Sequence, residues 1–363
     1  MSEVQIRPYE IGDEAGIVEL LNKTFTKWPK QSVCNPIDYW RWKYLKNPYQ
    51  DKFIVLALDG EKVVGCFHTM LQMIKIGDNV YSSSTGTDLA VDQSYRNQGL
   101  YKKMREVQRN LEKDKIAFHY GVSNNPILIA TNLKEKHGAL PHIPYVYVKI
   151  DDIDMHMKNT GKIPIHKKYG FKVLKLLNKL RITNKISEFR RIKINHITKF
   201  GDAIEEFWRK ISGHHNFIVE RRSKYLNWRY CDSQCNDYTV MEAVENNEIL
   251  GYMVLKINNT ENNYQFGFIV DLLALRNRED AAEALLSTAI DFFKAENVNI
   301  VRWQITNHHP YTSIASRHGF LNSRQINPLD YPRETARIRI DEAKLKDSPP
   351  NMIHFAFGDF DWF

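Results

Sequence analysis

The chain has 363 residues, with 51 Lys and Arg against 43 Asp and Glu, a formal net charge of +8 and 43% apolar residues. That length favours two domains over a single core, and the composition excludes a disordered or collagen-like chain. No apolar run reaches the roughly 18–20 residues that span a bilayer, and the start MSEVQIRPYE carries no signal-peptide pattern. The four cysteines are too few and too scattered for a disulfide framework, so the expected location is cytoplasmic. Cys231 and Cys235 have no second Cys or His pair at zinc spacing nearby, and no metal is expected.

In chain order, a short strand ending near Pro8 runs through Gly12-Asp13 into an amphipathic helix that reaches Phe25. The triplet Trp42-Lys43-Tyr44 then precedes a hairpin pattern, with Asp59-Gly60 as its tight-turn signal. A strand through Thr87, Asp88, Leu89, Ala90 and Val91 leads by a polar turn into a helix. A second strand–helix unit carries His119, Tyr120, Ser123, Asn124 and Asn125 and closes at His137-Gly138. Between Met155 and Lys193 stand twelve Lys or Arg and one acidic residue, Glu188, a local balance of +11 that leaves −3 for the rest. With Phe171, Val173, Leu174, Leu176, Leu177 and Leu180 among the lysines, this stretch reads as a basic amphipathic helix bridging two domains.

Beyond it the same order returns. Gly201-Asp202 opens a helix, Trp228-Arg229-Tyr230 lies 186 residues after Trp42-Lys43-Tyr44, and Gly251 lies 186 after Gly65. Val270-Asp271 follows Thr87-Asp88 by 183, Thr306-Asn307 follows Ser123-Asn124 by 183, and His318-Gly319 follows His137-Gly138 by 181. An ordered series whose offset drifts by a few residues points to an internal duplication with short loop changes. Each half reads as α/β (α+β), a mixed, mostly antiparallel twisted sheet flanked by helices. The segments are a first domain at 1–150, the basic linker at 151–193, a diverged second copy at 194–345 and an aromatic tail at 346–363.

The turn Arg96-Asn97-Gln98-Gly99-Leu100-Tyr101 joins a strand to a helix. First-turn N–H groups of a helix have no intrahelical partners and carry the positive end of its dipole. Gly99 lets a phosphate approach the backbone, and Arg96, Lys102 and Lys103 add positive charge. Spacing alone leaves two readings open, a pyrophosphate cradle or an ordinary basic strand–helix corner.

This turn resembles the acyl-CoA signature of the GNAT N-acetyltransferase superfamily, Arg/Gln-x-x-Gly-x-Gly/Ala, with Tyr101 standing where the family has a small residue. The resemblance covers residues 4–145 well and 194–325 weakly, which makes the chain a tandem of two GNAT-like domains. It implies acetyl-CoA as acyl donor, held by Leu89, Ala90 and Val91 on the central strand, by residues Arg96 to Tyr101, and by Asn124 and Asn125. It also implies direct attack by a primary amine on the thioester. Asp88 stands at a position where the family often carries a base, with a strand carboxylate bound to its neighbours as the alternative. His119 and Tyr120 are secondary candidates, and the backbone N–H groups of Leu89 and Ala90 are expected to hold the thioester oxygen. Where the family often places a Tyr that protonates the thiolate, this chain has Lys134.

In the second copy Glu279 and Ala282 replace Arg96 and Gly99, and Glu279 with Asp280 would repel a pyrophosphate, so that copy is not expected to bind CoA. The acceptor is expected to be a small-molecule amine, an amino sugar of a surface polysaccharide being one candidate, with Asp359 and Asp361 of the tail available to bind it. Docking of the tail through its aromatics is the competing reading. No nucleic-acid partner is expected, contact of the basic linker with a membrane surface stays open, and the oligomeric state is not legible. Donors other than acetyl-CoA, namely acyl-carrier protein or aminoacyl-tRNA, and a non-catalytic acyl-CoA-binding role remain alternatives.

Overall fold

The structure is a computed structural model, and it describes residues 3–25, 28–29, 34–49, 52–123, 144–160, 191–231, 237–258, 264–323, 335–338 and 348–360. Strand β1 (Gln5–Pro8) leads to helix α1 (Glu14–Thr24), which buries Ile17, Val18, Leu20 and Leu21 on one face. Helix α2 (Pro36–Leu45) starts where the Asn35 side chain accepts the Ile37 N–H and Pro36 supplies a preset φ. Strands β2 (Ile54–Asp59), β3 (Lys62–Ile76) and β4 (Asn79–Val91), helix α3 (Leu100–Glu112) and strand β5 (Phe118–Ser123) follow. Next come β6 (Pro144–Ile150) and helix α4 (Ile153–Thr160).

The second half repeats this order. It comprises β7 (Lys193–Ile197), α5 (Ala203–Ser212), β8 (Phe217–Val219), α6 (Ser223–Leu226), β9 (Tyr238–Glu245), β10 (Glu248–Asn258), β11 (Phe266–Ala274), α7 (Glu279–Ala295), β12 (Ile300–Thr306) and α8 (Tyr311–Arg317), then β13 (Leu321–Asn322) and β14 (Thr335–Ile338).

The strands form two sheets, ordered β1-β2-β3-β4-β5-β14 and β7-β9-β10-β11-β12-β6-β13, with β8 added to the far end of β3. Each sheet has one parallel pair, β4/β5 in the first and β11/β12 in the second; every other pairing is antiparallel. Sheet membership crosses the boundaries read from the sequence. The strand that closes segment 1–150, β6, hydrogen-bonds to β12 of the second sheet, while β14 of the second segment pairs with β5 of the first. The two halves thus exchange their last strands, and neither sheet is complete without the other half.

Three apolar clusters follow from the strand alternation. One packs α3 on the first sheet through Val55, Ala57, Val64, Phe67, Leu100 and Met104. A second packs α7 and α8 on the second sheet. The largest lies between the sheets, takes in α1, α2, α5 and α6, and includes Phe355, Phe357 and Phe360 of the tail. At its centre the repeat-related tryptophans stack, Trp42 on Trp228 with centroids 5.5 Å apart. Each indole N–H donates to the other's main-chain oxygen at 3.0 Å. A contact in which i binds j as j binds i is what a two-fold axis produces, so the duplication seen in the sequence is a pseudo-dyad in space. Cys66 is a buried free thiol and Cys34 is disulfide-bonded. Among the described residues no helix is long and apolar enough to cross a membrane, and no group of three or more His, Cys, Asp or Glu could hold a metal.

Candidate functional site: a strand edge, a glycine turn and a buried bulge

After β4 the chain turns through a 3-10 segment, Gln93–Tyr95, capped by Asp92, whose Oδ1 accepts the Ser94 N–H at 3.0 Å. Lys23 Nζ donates to the other carboxylate oxygen at 2.7 Å and holds its pKa below the usual range. Tyr95 OH donates to Asp59, tying the turn to the hairpin. Asn97 (φ 63°) and Gly99 (φ 74°) are left-handed, and α3 starts at Leu100 with no side-chain cap and no acid in its first turn. A Cβ on Gly99 would meet nothing within 4 Å, so space for a ligand exists there, and the glycine is required by its φ. Arg96, Lys102 and Lys103 are exposed around these N–H groups, Arg96 Nε reaching the Val91 carbonyl at 3.2 Å. The Tyr101 ring packs in a T-shaped contact with Phe67, centroids 6.0 Å apart. Leu100 is buried in the α3 cluster, so only its backbone is available to a ligand.

Upstream, β4 and β5 pair only at Ser83/Phe118 and Ser84/His119, leaving the β4 edge from Thr85 to Val91 without β5 hydrogen bonds. At this fork Ser84 Oγ donates to Glu112 at 2.8 Å, so its 2.8 Å contact with His119 is a donation from Nδ1–H. His119 Nε2 lies 3.4 Å from Glu112, whose carboxyl is pushed up by burial. Tyr120 follows on β5, its backbone paired with Ile338.

Between fork and turn lies a β-bulge, where Asp88 and Leu89 oppose a single residue of β3. Asp88 has φ 41° and its side chain points under α2. Its carboxylate accepts from Trp28 Nε1 (2.9 Å), Lys43 Nζ (2.7 Å) and Tyr44 OH (2.5 Å). The hydroxyl of Thr87 then donates to Tyr44 at 2.9 Å. Burial would raise the Asp88 pKa, but the Lys43 ammonium and these hydrogen bonds outweigh it and hold the group below its usual value. An ionised carboxylate already saturated by three donors is a poor proton acceptor at neutral pH. The base role expected for Asp88 is therefore disfavoured by its surroundings, which make it an anchor for the bulge.

Residues 5–128 match the family model of the acetyltransferase (GNAT) domain. This region is a GNAT domain. Three solved structures are similar over nearly the whole chain. A GCN5-related N-acetyltransferase from Anabaena variabilis ATCC 29413 has TM-score 0.60 and 10% identity, covering 94% of this chain and 74% of that one. A probable N-acyltransferase from Enterococcus faecalis V583 has TM-score 0.53 and 12% identity, with 93% and 71% covered. The Saccharomyces cerevisiae N-myristoyltransferase with bound myristoyl-CoA has TM-score 0.59 and 11% identity, with 93% and 79% covered. At such identities the likeness is one of fold, and it extends over both halves. A comparison with curated protein sequences finds no match.

In the GNAT domain the helix N-terminus is open; in the second half its counterpart is occupied by side chains. Asn277 is again left-handed (φ 66°), but α7 begins with Glu279 and Asp280, and Arg278 pairs with Asp280 (2.9 Å) and Glu245 (3.1 Å). Strands β11 and β12 pair over four positions, Phe266–Ile269 with Ile300–Trp303, where β4 and β5 pair over two. Of the two readings of the tail, its described part fits docking through the aromatics, with Phe355, Phe357 and Phe360 in the core. Asp359 is 0% exposed, bound by Arg221 Nη2 and by the Ala356 N–H (2.8 Å), and so offers no carboxylate to an acceptor. Burial raises its pKa, with Arg221 opposing. Asn124, Asn125, Lys134, Asp361 and most of the basic linker (161–190) lie outside the described residues. Sequence reading missed Trp28, Lys43 and His68 as partners of Asp88. The one available signal was the cation shared by Trp42-Lys43-Tyr44 and Trp228-Arg229-Tyr230.

Proposed function

We propose that this protein is an N-acetyltransferase that moves the acetyl group of acetyl-CoA to a primary amine, using one donor site in the GNAT domain. The observation that carries this reading is the uncapped N-terminus of α3 behind Gly99, continuous with the β4 edge that β5 leaves unpaired. The pyrophosphate is held by the N–H groups of Leu100 and Tyr101 with Arg96, Lys102 and Lys103. The pantetheine arm adds to the β4 edge at Leu89, Ala90 and Val91, as an extended ligand adds to a sheet. The amine attacks the thioester carbon, the C–S bond breaks, and the amine gives up a proton. His119, half-buried at the fork and backed by Glu112, is better suited to accept that proton than the saturated Asp88.

The acceptor class we favour is a small amine, with amino sugars first in the panel. The test is release of free CoA thiol from acetyl-CoA, and in parallel from myristoyl-CoA, across amino sugars, polyamines and peptide N-termini. Amine-dependent release that is lost in Gly99→Glu supports the reading. Binding of acetyl-CoA without release for any amine would reduce the protein to an acyl-CoA-binding role.

A further inference from the structure

Eight non-glycine residues have positive φ among the described residues, and seven sit in turns or at element ends. The exception is Asp88, inside β4. A left-handed Asp inside a strand is strained and persists only where its surroundings over-determine it. Here both ends of the residue are held. The carboxylate takes Trp28, Lys43 and Tyr44, while the carbonyl oxygen accepts from His68 Nδ1 at 3.1 Å, with the Cys66 thiol 3.7 Å away. His68 is wholly buried and has one possible tautomer. Trp40 Nε1 donates to its Nε2 at 3.0 Å, so the ring proton sits on Nδ1 and points at the Asp88 carbonyl. Burial drives its pKa down to about 4, which keeps it neutral.

The C=O of Asp88 and the N–H of Leu89 belong to one trans peptide plane and point in opposite directions. His68 and Cys66 are both on β3, so a carbonyl turned to them turns the Leu89 N–H away from β3, toward the edge that β5 leaves uncovered. The neighbouring Ala90 N–H faces the Cys66 thiol instead. Of the two amides expected to hold a thioester oxygen, Leu89 is the one directed at the open edge.

We propose that His68 is a positioning residue: by gripping the Asp88 carbonyl, with Trp40 fixing its tautomer, it aims the Leu89 N–H at the carbonyl oxygen of the bound acyl thioester. This rests on the reading that the β4 edge takes the acyl-CoA arm. A preorganised donor of this kind is worth about 10²–10³ in turnover when removed outright, so loosening its aim should cost roughly tenfold or more.

The test uses the full chain and a non-hydrolysable ketone analogue of acetyl-CoA, carbon-13 labelled at the carbonyl. Infrared difference spectra read the carbonyl stretch, and calorimetry reads affinity. The wild type should bind and shift the stretch to lower frequency. His68→Phe should lose most of that shift with affinity nearly unchanged, because the phosphates are held at Gly99. His68→Asn, which keeps a donor near Nδ1, should restore it. Should His68→Phe fail to fold, Trp40→Phe frees the tautomer and should lose part of the shift. A full shift in His68→Phe, or in Trp40→Phe where it stands in, would overturn the assignment. A wild type that binds with no shift overturns the Leu89 donor while leaving the binding reading intact. A wild type that binds no analogue removes the reading itself, and the inference with it.

Discussion

Asp88 lies in the bulge of its strand and Asp271 beside the bulge of the equivalent strand in the second copy, and they have been put to different uses. Both lie beside a buried cation, Lys43 for Asp88 and Arg221 for Asp271. Around Asp271 the network closes: Arg221 also binds Asp359, Tyr252 OH donates at 2.7 Å, and His354 of the tail lies 2.9 Å away. Asp271 has no positive φ, and the tail packs Phe357 against Phe268 of the strand. Around Asp88 the backbone is left-handed, β5 leaves the strand edge unpaired, and the first turn of the helix beyond carries no acid. On the reading proposed above, duplication kept the scaffold in both halves and the donor-site geometry in one. The second copy spent the same aspartate on fastening the chain terminus between the sheets.

Several substitutions would break or sharpen this contrast. The largest effect is expected from Gly99→Glu, which strains a left-handed residue and puts a carboxylate at the mouth of the anion site. Acetyl-CoA affinity should fall by about 100-fold or more by titration calorimetry, while Glu279→Gln in the counterpart turn should leave it unchanged. Equal losses from both would erase the asymmetry. Next, Arg221→Met leaves two buried carboxylates without their cation and should cost about 3–5 kcal/mol in urea unfolding. Lys43→Met strands a single carboxylate that keeps Trp28 and Tyr44, so it should cost less stability and proportionally more turnover.

Acid should then weaken both halves. A histidine whose folded pKa is depressed takes its proton first in the unfolded chain. Its contribution is therefore complete above the unfolded value of about 6.5 and is lost as pH falls. For His68 the loss runs down to about 4, and for His215, which is buried and faces His354, down to about 3. Denaturation midpoints should decline steadily below pH 6.5, and His68→Asn should flatten the first-half share of that slope. The smallest effect is at the pseudo-dyad. Trp42→Phe and Trp228→Phe each remove one indole–carbonyl bond and should cost about 1 kcal/mol apiece, and a large inequality would argue against a shared axis.

Much of this was legible in residues. Trp42-Lys43-Tyr44 against Trp228-Arg229-Tyr230 announced the repeat, and Gly99 announced the turn, because local backbone demands are written in residue type. The strand exchange of β6 and β14 was not legible. A strand's sequence specifies which face is buried, but not which of two equivalent edges it joins. The clamp on Asp88 was hidden for another reason. Trp28, Lys43 and His68 come from three elements whose convergence depends on tertiary packing, and a histidine inside an apolar strand reads as ordinary core. Asp359 misled because its acidity suggested a ligand-facing group, whereas Arg221, 138 residues earlier, neutralises it inside the core.

Titration calorimetry of acetyl-CoA into the full chain, with the stoichiometry fitted freely, decides whether two copies of the fold carry one live donor site. One site per chain is expected, absent in Gly99→Glu and retained in Glu279→Gln. Two sites per chain, or one that survives Gly99→Glu, would contradict it.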